Sequence, residues 1–130
     1  MSDTITGDGW AVGSLDGMGE GPGFRKVRRE LGVQAFGINA VVMPPGYATG
    51  RHFHERQEET YFVHRGTVEF SLDGVPQVLT AGGFARVDPP TVRSMRNLSD
   101  SEEAVYIAIG GAGGYVGRDG QVPEGENSAR

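Results

Sequence analysis

The stretch Gly46-Tyr47-Ala48-Thr49-Gly50-Arg51-His52-Phe53-His54-Glu55-Arg56-Gln57-Glu58-Glu59-Thr60-Tyr61-Phe62-Val63-His64-Arg65-Gly66 holds all three histidines of a 130-residue chain. His52 and His54 are one residue apart, so on an extended strand both imidazoles leave the same face and Phe53 leaves the other. Neutral imidazoles joined by a carboxylate make a ligand shell for Zn, Fe, Mn, Ni or Cu, and Glu59 can supply that carboxylate from the next strand. An H-x-H pair also arises by chance on surface strands, so the pair alone leaves both readings open.

The flanking sequence is strand-like. In Gln34 to Met43, Phe36, Ile38, Ala40 and Val42 recur with period two until Pro44-Pro45-Gly46 stops the run. In Thr67 to Leu72, Val68, Phe70 and Leu72 alternate with polar residues, and Asp73-Gly74 supplies a turn. Further strands are expected at Trp10–Leu15, Thr60–Arg65, Pro76–Thr80, Phe84–Asp88, Arg93–Asn97 and Ala104–Ile109. One short helical turn is expected at Phe24 to Leu31, cut off by Gly32. With 22 glycines and 7 prolines punctuating the chain, long helices have little room, and the pattern predicts an all-β sandwich or barrel. Length predicts a single domain with its core at about residues 9–116, between flexible polar ends at 1–8 and 117–130. The glycine-rich segment Asp16 to Gly23 lacks the G-x-G-x-x-G spacing of a phosphate loop and reads as a surface loop.

Composition removes several classes of function. A net charge of −5 disfavours nucleic acid, which requires a basic face. The densest basic run, Arg25-Lys26-Val27-Arg28-Arg29, is followed by Glu30 and reads as a solvated, locally paired surface. Without cysteine there is no disulfide, thiolate metal site or cysteine nucleophile. No apolar run approaches the roughly 20 residues of a membrane span, and Met1-Ser2-Asp3-Thr4 lacks the features of a secretory signal. A cytoplasmic protein contacting neither membrane nor nucleic acid is expected.

The opening stretch fits G-x5-H-x-H-x4-E-x6-G at every specified position, with Gly46, His52, His54, Glu59 and Gly66 in order. This resembles the first signature of the cupin superfamily, and the resemblance extends over about residues 34 to 110. It implies a small jelly roll, also called a double-stranded β-helix, in which His52, His54 and Glu59 bind a divalent transition metal. The second signature, G-x5-P-x-G-x2-H-x3-N, is matched in part. Gly82 and Asn97 are in place, but Asp88 stands at the proline position, Pro90 at the glycine and Arg93 at the histidine. Guanidinium remains protonated and has no lone pair to donate, so Arg93 cannot ligate a metal.

Two arrangements follow. Arg93 can turn into the pocket and pair bidentately with Glu59, leaving a metal-free binding module. It can instead lean away or pair with a substrate carboxylate, leaving a two-histidine, one-carboxylate triad with open positions. Members of the superfamily include oxygenases, isomerases and binding modules, so the resemblance implies a small polar or carboxylate-bearing ligand without fixing a reaction. Arg93, Tyr61 and Arg86 are the candidate ligand-binding residues; for Tyr61 the reading as barrel filler is favoured over ligand orientation, and for Arg86 a contact with Asp88 is as well supported as ligand binding. His64 projects from the opposite face to Glu59. Gln57 reads as a polar loop residue, and Asn97 as the anchor of a turn. An outward-facing Phe62 and unprotected sheet edges predict a homodimer.

Overall fold

A computed structural model describes residues 4–126. In chain order the strands are β1 (Ile5–Gly7), β2 (Trp10–Val12), β3 (Gly23–Arg25), β4 (Gly37–Met43), β5 (Phe53–His54), β6 (Glu58–Arg65), β7 (Thr67–Leu72), β8 (Val75–Thr80), β9 (Phe84–Val87), β10 (Arg93–Asn97), β11 (Ala104–Gly111) and β12 (Gly120–Gln121). A 3-10 turn at Leu15–Met18 and a helix α1 at Val27–Leu31 interrupt them. No described helix is long and apolar enough to cross a membrane.

Two antiparallel sheets face each other, one ordered β3-β4-β11-β6-β9 and the other β10-β7-β8. Val41, Met43, Tyr61, Val63, Val87 and Tyr106 from the first meet Val68, Phe70 and Met95 from the second in a shared core. This is the expected jelly roll, because alternate residues of each strand face one interior. Around Tyr61, the rings of Phe70 and Tyr106 lie 5.4 and 5.8 Å away, within the usual range of aromatic pairs.

β4 is covered on both faces. Ala40 and Val42, with Val105, pack against Leu15, Val27 and Ile107 outside the barrel, while Val41 and Met43 point inside. The period-two set beginning at Phe36 therefore marks the face beneath the N-terminal segment. Phe36 itself precedes the strand and is exposed. The expected helical turn is divided: Phe24 lies in β3, opposite Val41, and only Val27–Leu31 is helical. Phe24 packs against the barrel core from that strand position, and tertiary contact outweighs helical preference.

Both polar ends hold more structure than their composition suggests. β1 pairs with β2 in a hairpin, and β12 pairs with β5, Gly120 opposite His54. Residues 5–7 and 120–121 of the ends expected to be flexible thus take part in backbone pairing, which satisfies peptide groups whatever the side chains. The remainder of those expectations, at residues 1–3 and 127–130, lies outside the described residues.

Gly66 turns the chain from β6 to β7 with φ of 84°, and a Cβ there would lie 2.7 Å from Ala104 Cβ. Gly74 has the same φ of 84° but open space around it. Both strains apply at Gly66 and only the backbone strain at Gly74. Urea unfolding should therefore show Gly66→Ala less stable than Gly74→Ala by about 1–3 kcal/mol; equal midpoints would contradict the packing account.

Candidate metal centre

His52 and His54 are held by backbone bonds to distant segments. The His52 amide donates to Arg93 O at 2.9 Å and the Arg93 amide donates back to His52 O at 2.8 Å. The His54 amide donates to Pro89 O at 2.7 Å. Both side chains are buried, with ring centroids 5.3 Å apart, while Phe53 between them is half-buried. The shared face expected from strand geometry is thus realised.

Glu59 comes from β6 and meets them inside the barrel. The three side chains each offer one ligand atom, and these lie within 4.8 Å of one another. An ion bound at about 2.1 Å by each N or O ligand would hold them at most about 4.2 Å apart, so the side chains need draw in only slightly. His54 Nε2 lies 3.1 Å from Glu59 Oε1 yet makes no aligned hydrogen bond. The donor set, two imidazoles and a carboxylate, suits a first-row transition ion.

Glu59 is kept ionised against its surroundings. Burial alone would raise its pKa, but the approach of His54, the Tyr61 hydrogen bond and the Arg93 charge outweigh this and lower it to about 2. Tyr61 is itself buried, and its hydroxyl donates to Glu59 Oε1. Burial, followed by the neighbouring Glu59 charge, drives the Tyr61 pKa upward, so the phenol stays protonated and remains a donor. Tyr61 fills the barrel and orients the carboxylate together.

Arg93 is fully buried at 0% exposure. It turns inward but makes no bidentate pair, since only Nη2 approaches Glu59 Oε1, at 3.7 Å. Its guanidinium mainly serves the loop before β10, with Nη1 donating to Pro89 O at 3.1 Å and Thr91 O at 2.8 Å. Nη2 lies 3.4 Å from Asp88 O. Neither arrangement expected from sequence is realised in full: the charge reaches the site while its donors are directed to backbone.

A match to the family model described as "Cupin domain" covers residues 39–110, more than half of the 130-residue chain. The chain is a cupin. Protein SchB of Streptomyces halstedii is 29% identical over 73 residues, covering 56% of this chain and 53% of SchB, so the chain matches only about half of that relative. A double-stranded β-helix protein from Klebsiella pneumoniae superposes with a TM-score of 0.66 at 20% identity, covering 78% of this chain and 84% of its own. A predicted oxalate decarboxylase from Thermotoga maritima gives 0.54 at 24% identity over 57% of this chain and 64% of its own. An oxalate oxidase in complex with the substrate analogue glycolate gives 0.56 at 20% identity, covering 60% of this chain and 42% of its own. These structural likenesses concern the fold.

Two residues of this cupin join the site without having been singled out as part of it. Gln57 is buried, with Nε2 3.1 Å from His54 Nδ1. Asp119 Oδ2 lies 3.5 Å from the same nitrogen and accepts the amides of Arg56 at 3.0 Å and Gln57 at 2.8 Å. Burial opposes ionisation of Asp119, but those two amides and the neighbouring His54 hold its pKa below the ordinary aspartate value. For His54 Nε2 to present a lone pair, Nδ1 must carry the proton. Asp119 can receive it, as can Gln57 with its amide turned, an orientation set by the hydrogen-bond network. Gln57 stands five residues after His52 in the motif loop, whereas Asp119 lies beyond residue 110, where no motif spacing points to it.

Arg86 does not join the cluster. It sits opposite Thr60 on the outer face of β9, exposed, with Nη1 2.5 Å from Asp88 and 3.3 Å from Glu58. The sequence placed Arg86 in parity with Asp88; the fold shows that this parity faces outward. His64 is exposed on the outer face of β6. Asn97 anchors a turn, its Nδ2 donating to Met43 O, Pro44 O and Glu102 O at 2.8 to 3.1 Å.

Gly110 lies opposite Glu59 in the β11–β6 ladder. A Cβ there would stand 3.1 Å from Glu59 Cγ and 3.2 Å from Gln57 Oε1, so glycine leaves the room these side chains occupy. Gly110→Ala should cost about 1 kcal/mol in urea unfolding and move the Gln57 side-chain amide resonances, the sign of a crowded pocket wall. Unchanged resonances would mean that the wall yields freely.

Proposed function

We propose that this cupin binds a divalent transition metal through His52, His54 and Glu59 and, at that ion, a small polar or carboxylate-bearing molecule, as an oxygenase or isomerase. The observation that carries the reading is the convergence of three buried ligand atoms, from His52, His54 and Glu59, within 4.8 Å of one another. Two structural neighbours, a predicted oxalate decarboxylase and an oxalate oxidase in complex with glycolate, support a small carboxylate ligand. A bound ion would supply Lewis-acid polarisation of such a ligand, or redox chemistry if it is iron. Tyr61 holds the Glu59 carboxylate in place, and Asp119, 3.5 Å from Nδ1, is placed to accept the Nδ1–H that leaves the His54 Nε2 lone pair exposed. Arg93 keeps a fixed positive charge where cupins resembling this one place a fourth ligand, favouring an anion over a further cation.

The second reading is a metal-free module, favoured by the buried Arg93 charge 3.7 Å from Glu59. Protein prepared without an affinity tag, loaded with Zn, Mn, Fe, Ni or Cu and analysed for metal, separates the two. The metal reading expects about one ion per chain in wild type and none in His52→Ala/His54→Ala. Arg93→His should bind metal at least tenfold more tightly, since it restores a ligand and removes a charge, while losing stability through the carbonyls of Pro89 and Thr91 left unpaired. Absence of metal from wild type after loading would leave the binding module.

We also propose a homodimer, which Phe62 and Phe84 support. Their rings lie 4.8 Å apart on the outer sheet face, with Ile107 opposite Phe62 in the ladder, and Phe84 is 64% exposed. Light scattering at micromolar concentration should give twice the 13.8 kDa chain mass; a single mass unchanged on dilution would exclude the pairing.

A further inference from the structure

The candidate metal centre opens into a cavity of about 290 Å³, lined by His54, Gln57, Glu59 and Asp119. A second cavity, of about 310 Å³, adjoins it. Phe24, Gly37, Ile38, Asn39 and Tyr115 line both, so the two adjoin along shared walls. The outer part has a different character: its remaining walls are Lys26, Arg28 and Arg29.

These are the residues that read from sequence as a locally paired surface, and the pairing is not formed. Among the described residues, no carboxylate lies within ion-pair distance of Lys26, Arg28 or Arg29. Arg25, the fourth cation of the run, is buried and donates to Gly21 O at 2.8 Å instead. Arg28 is held in place, its guanidinium carbon 3.8 Å above the Tyr115 ring and its Nη1 directed at Val33 O. Stacking fixes the guanidinium plane and leaves other N–H groups for a ligand. Arg118 adds a further cation on the wall of the inner cavity.

The chain as a whole carries −5, and the inner cavity contains Glu59 and Asp119, so an unpaired tripositive wall at its mouth creates a local field of opposite sign. A polyanion such as nucleic acid suits this arrangement poorly, because the cations line a confined cleft on an acidic protein. A small anion suits it. Inside the barrel, the donors of Arg93 are largely taken by backbone carbonyls, whereas the cations of the outer wall keep N–H donors for a ligand.

We propose that the ligand of this cupin has two recognised ends: one at the His52, His54 and Glu59 cluster, and a phosphate, sulfate or carboxylate group held by Lys26, Arg28 and Arg29. The inner end rests on the metal-binding reading given above; the outer end is a separate claim about the N-terminal segment. Calorimetry on the metal-loaded protein with gluconate and 6-phosphogluconate tests it, since the two probes share a carboxylate and carbon chain and differ in a terminal phosphate. Inorganic phosphate, followed by amide chemical shifts, probes the outer wall alone, and sulfate and acetate in the same titration distinguish the kinds of anion. The variant is Lys26→Gln/Arg29→Gln, which removes two exposed charges and leaves the Arg28 stack intact.

The expected result is that 6-phosphogluconate binds wild type at least tenfold more tightly than gluconate, that this advantage falls at least tenfold in the variant, and that phosphate shifts the amides of Lys26 to Arg29 and Tyr115. Metal content should be equal in both proteins. The proposal is overturned if the two probes bind wild type equally, if the advantage survives in the variant, or if neither 6-phosphogluconate nor phosphate moves these amides. Failure of the metal reading registers elsewhere, as metal content insensitive to His52→Ala/His54→Ala, so the two claims fall separately.

Discussion

An ionised carboxylate inside a barrel of tyrosine, phenylalanine and valine has to be matched group by group, and Glu59 sets that requirement for the rest of the molecule. One side is met by the Tyr61 hydroxyl, another by His54, and the longer-range charge by Arg93. Each of these demands something further. Tyr61 needs Phe70 and Tyr106 around its ring, His54 needs Gln57 and Asp119 at its second nitrogen, and Arg93 needs the carbonyls of the loop before β10. The polar interior is a connected network in which removing one member leaves the next unsatisfied.

The barrel and its surroundings divide the work. Residues 39–110 carry the family match and all three candidate ligands. The segments on either side complete the cleft, the N-terminal one through Phe24 and the basic residues before α1 and within it, the C-terminal one through Tyr115 and Asp119. Arg28 stacked on Tyr115 joins the two segments across the mouth. The three candidate ligands thus lie within the part of the chain that matches the family model, and the cations at the entrance lie outside it.

The ligand cluster was legible because a strand's period of two and a fixed spacing to Glu59 determine facing directions without any tertiary information. Arg93 was legible as a position but not as a set of contacts, since its hydrogen bonds depend on how Asp88 to Thr91 curl back. Strand alternation correctly grouped Ile38, Ala40 and Val42 but could not tell which face met the barrel, because β4 is buried on both sides. Arg86 suffered the same ambiguity. Asp119 left no local signal: it sits in a polar stretch, and its partners Arg56 and Gln57 precede it by 63 and 62 residues.

β5 is only two residues long, too short to hold itself in a sheet. Its order comes from β12 on one side and from the backbone of Pro89 and Arg93 on the other. Such a strand opens by local rather than global unfolding, at a free energy well below that of the barrel core. Release of the segment around Gly120 would free the His54 backbone and withdraw Asp119 from its ring while the two main sheets remained folded. In hydrogen-exchange terms, the β5 amides would then be less protected than those of β6 and β11, which pair along most of their length.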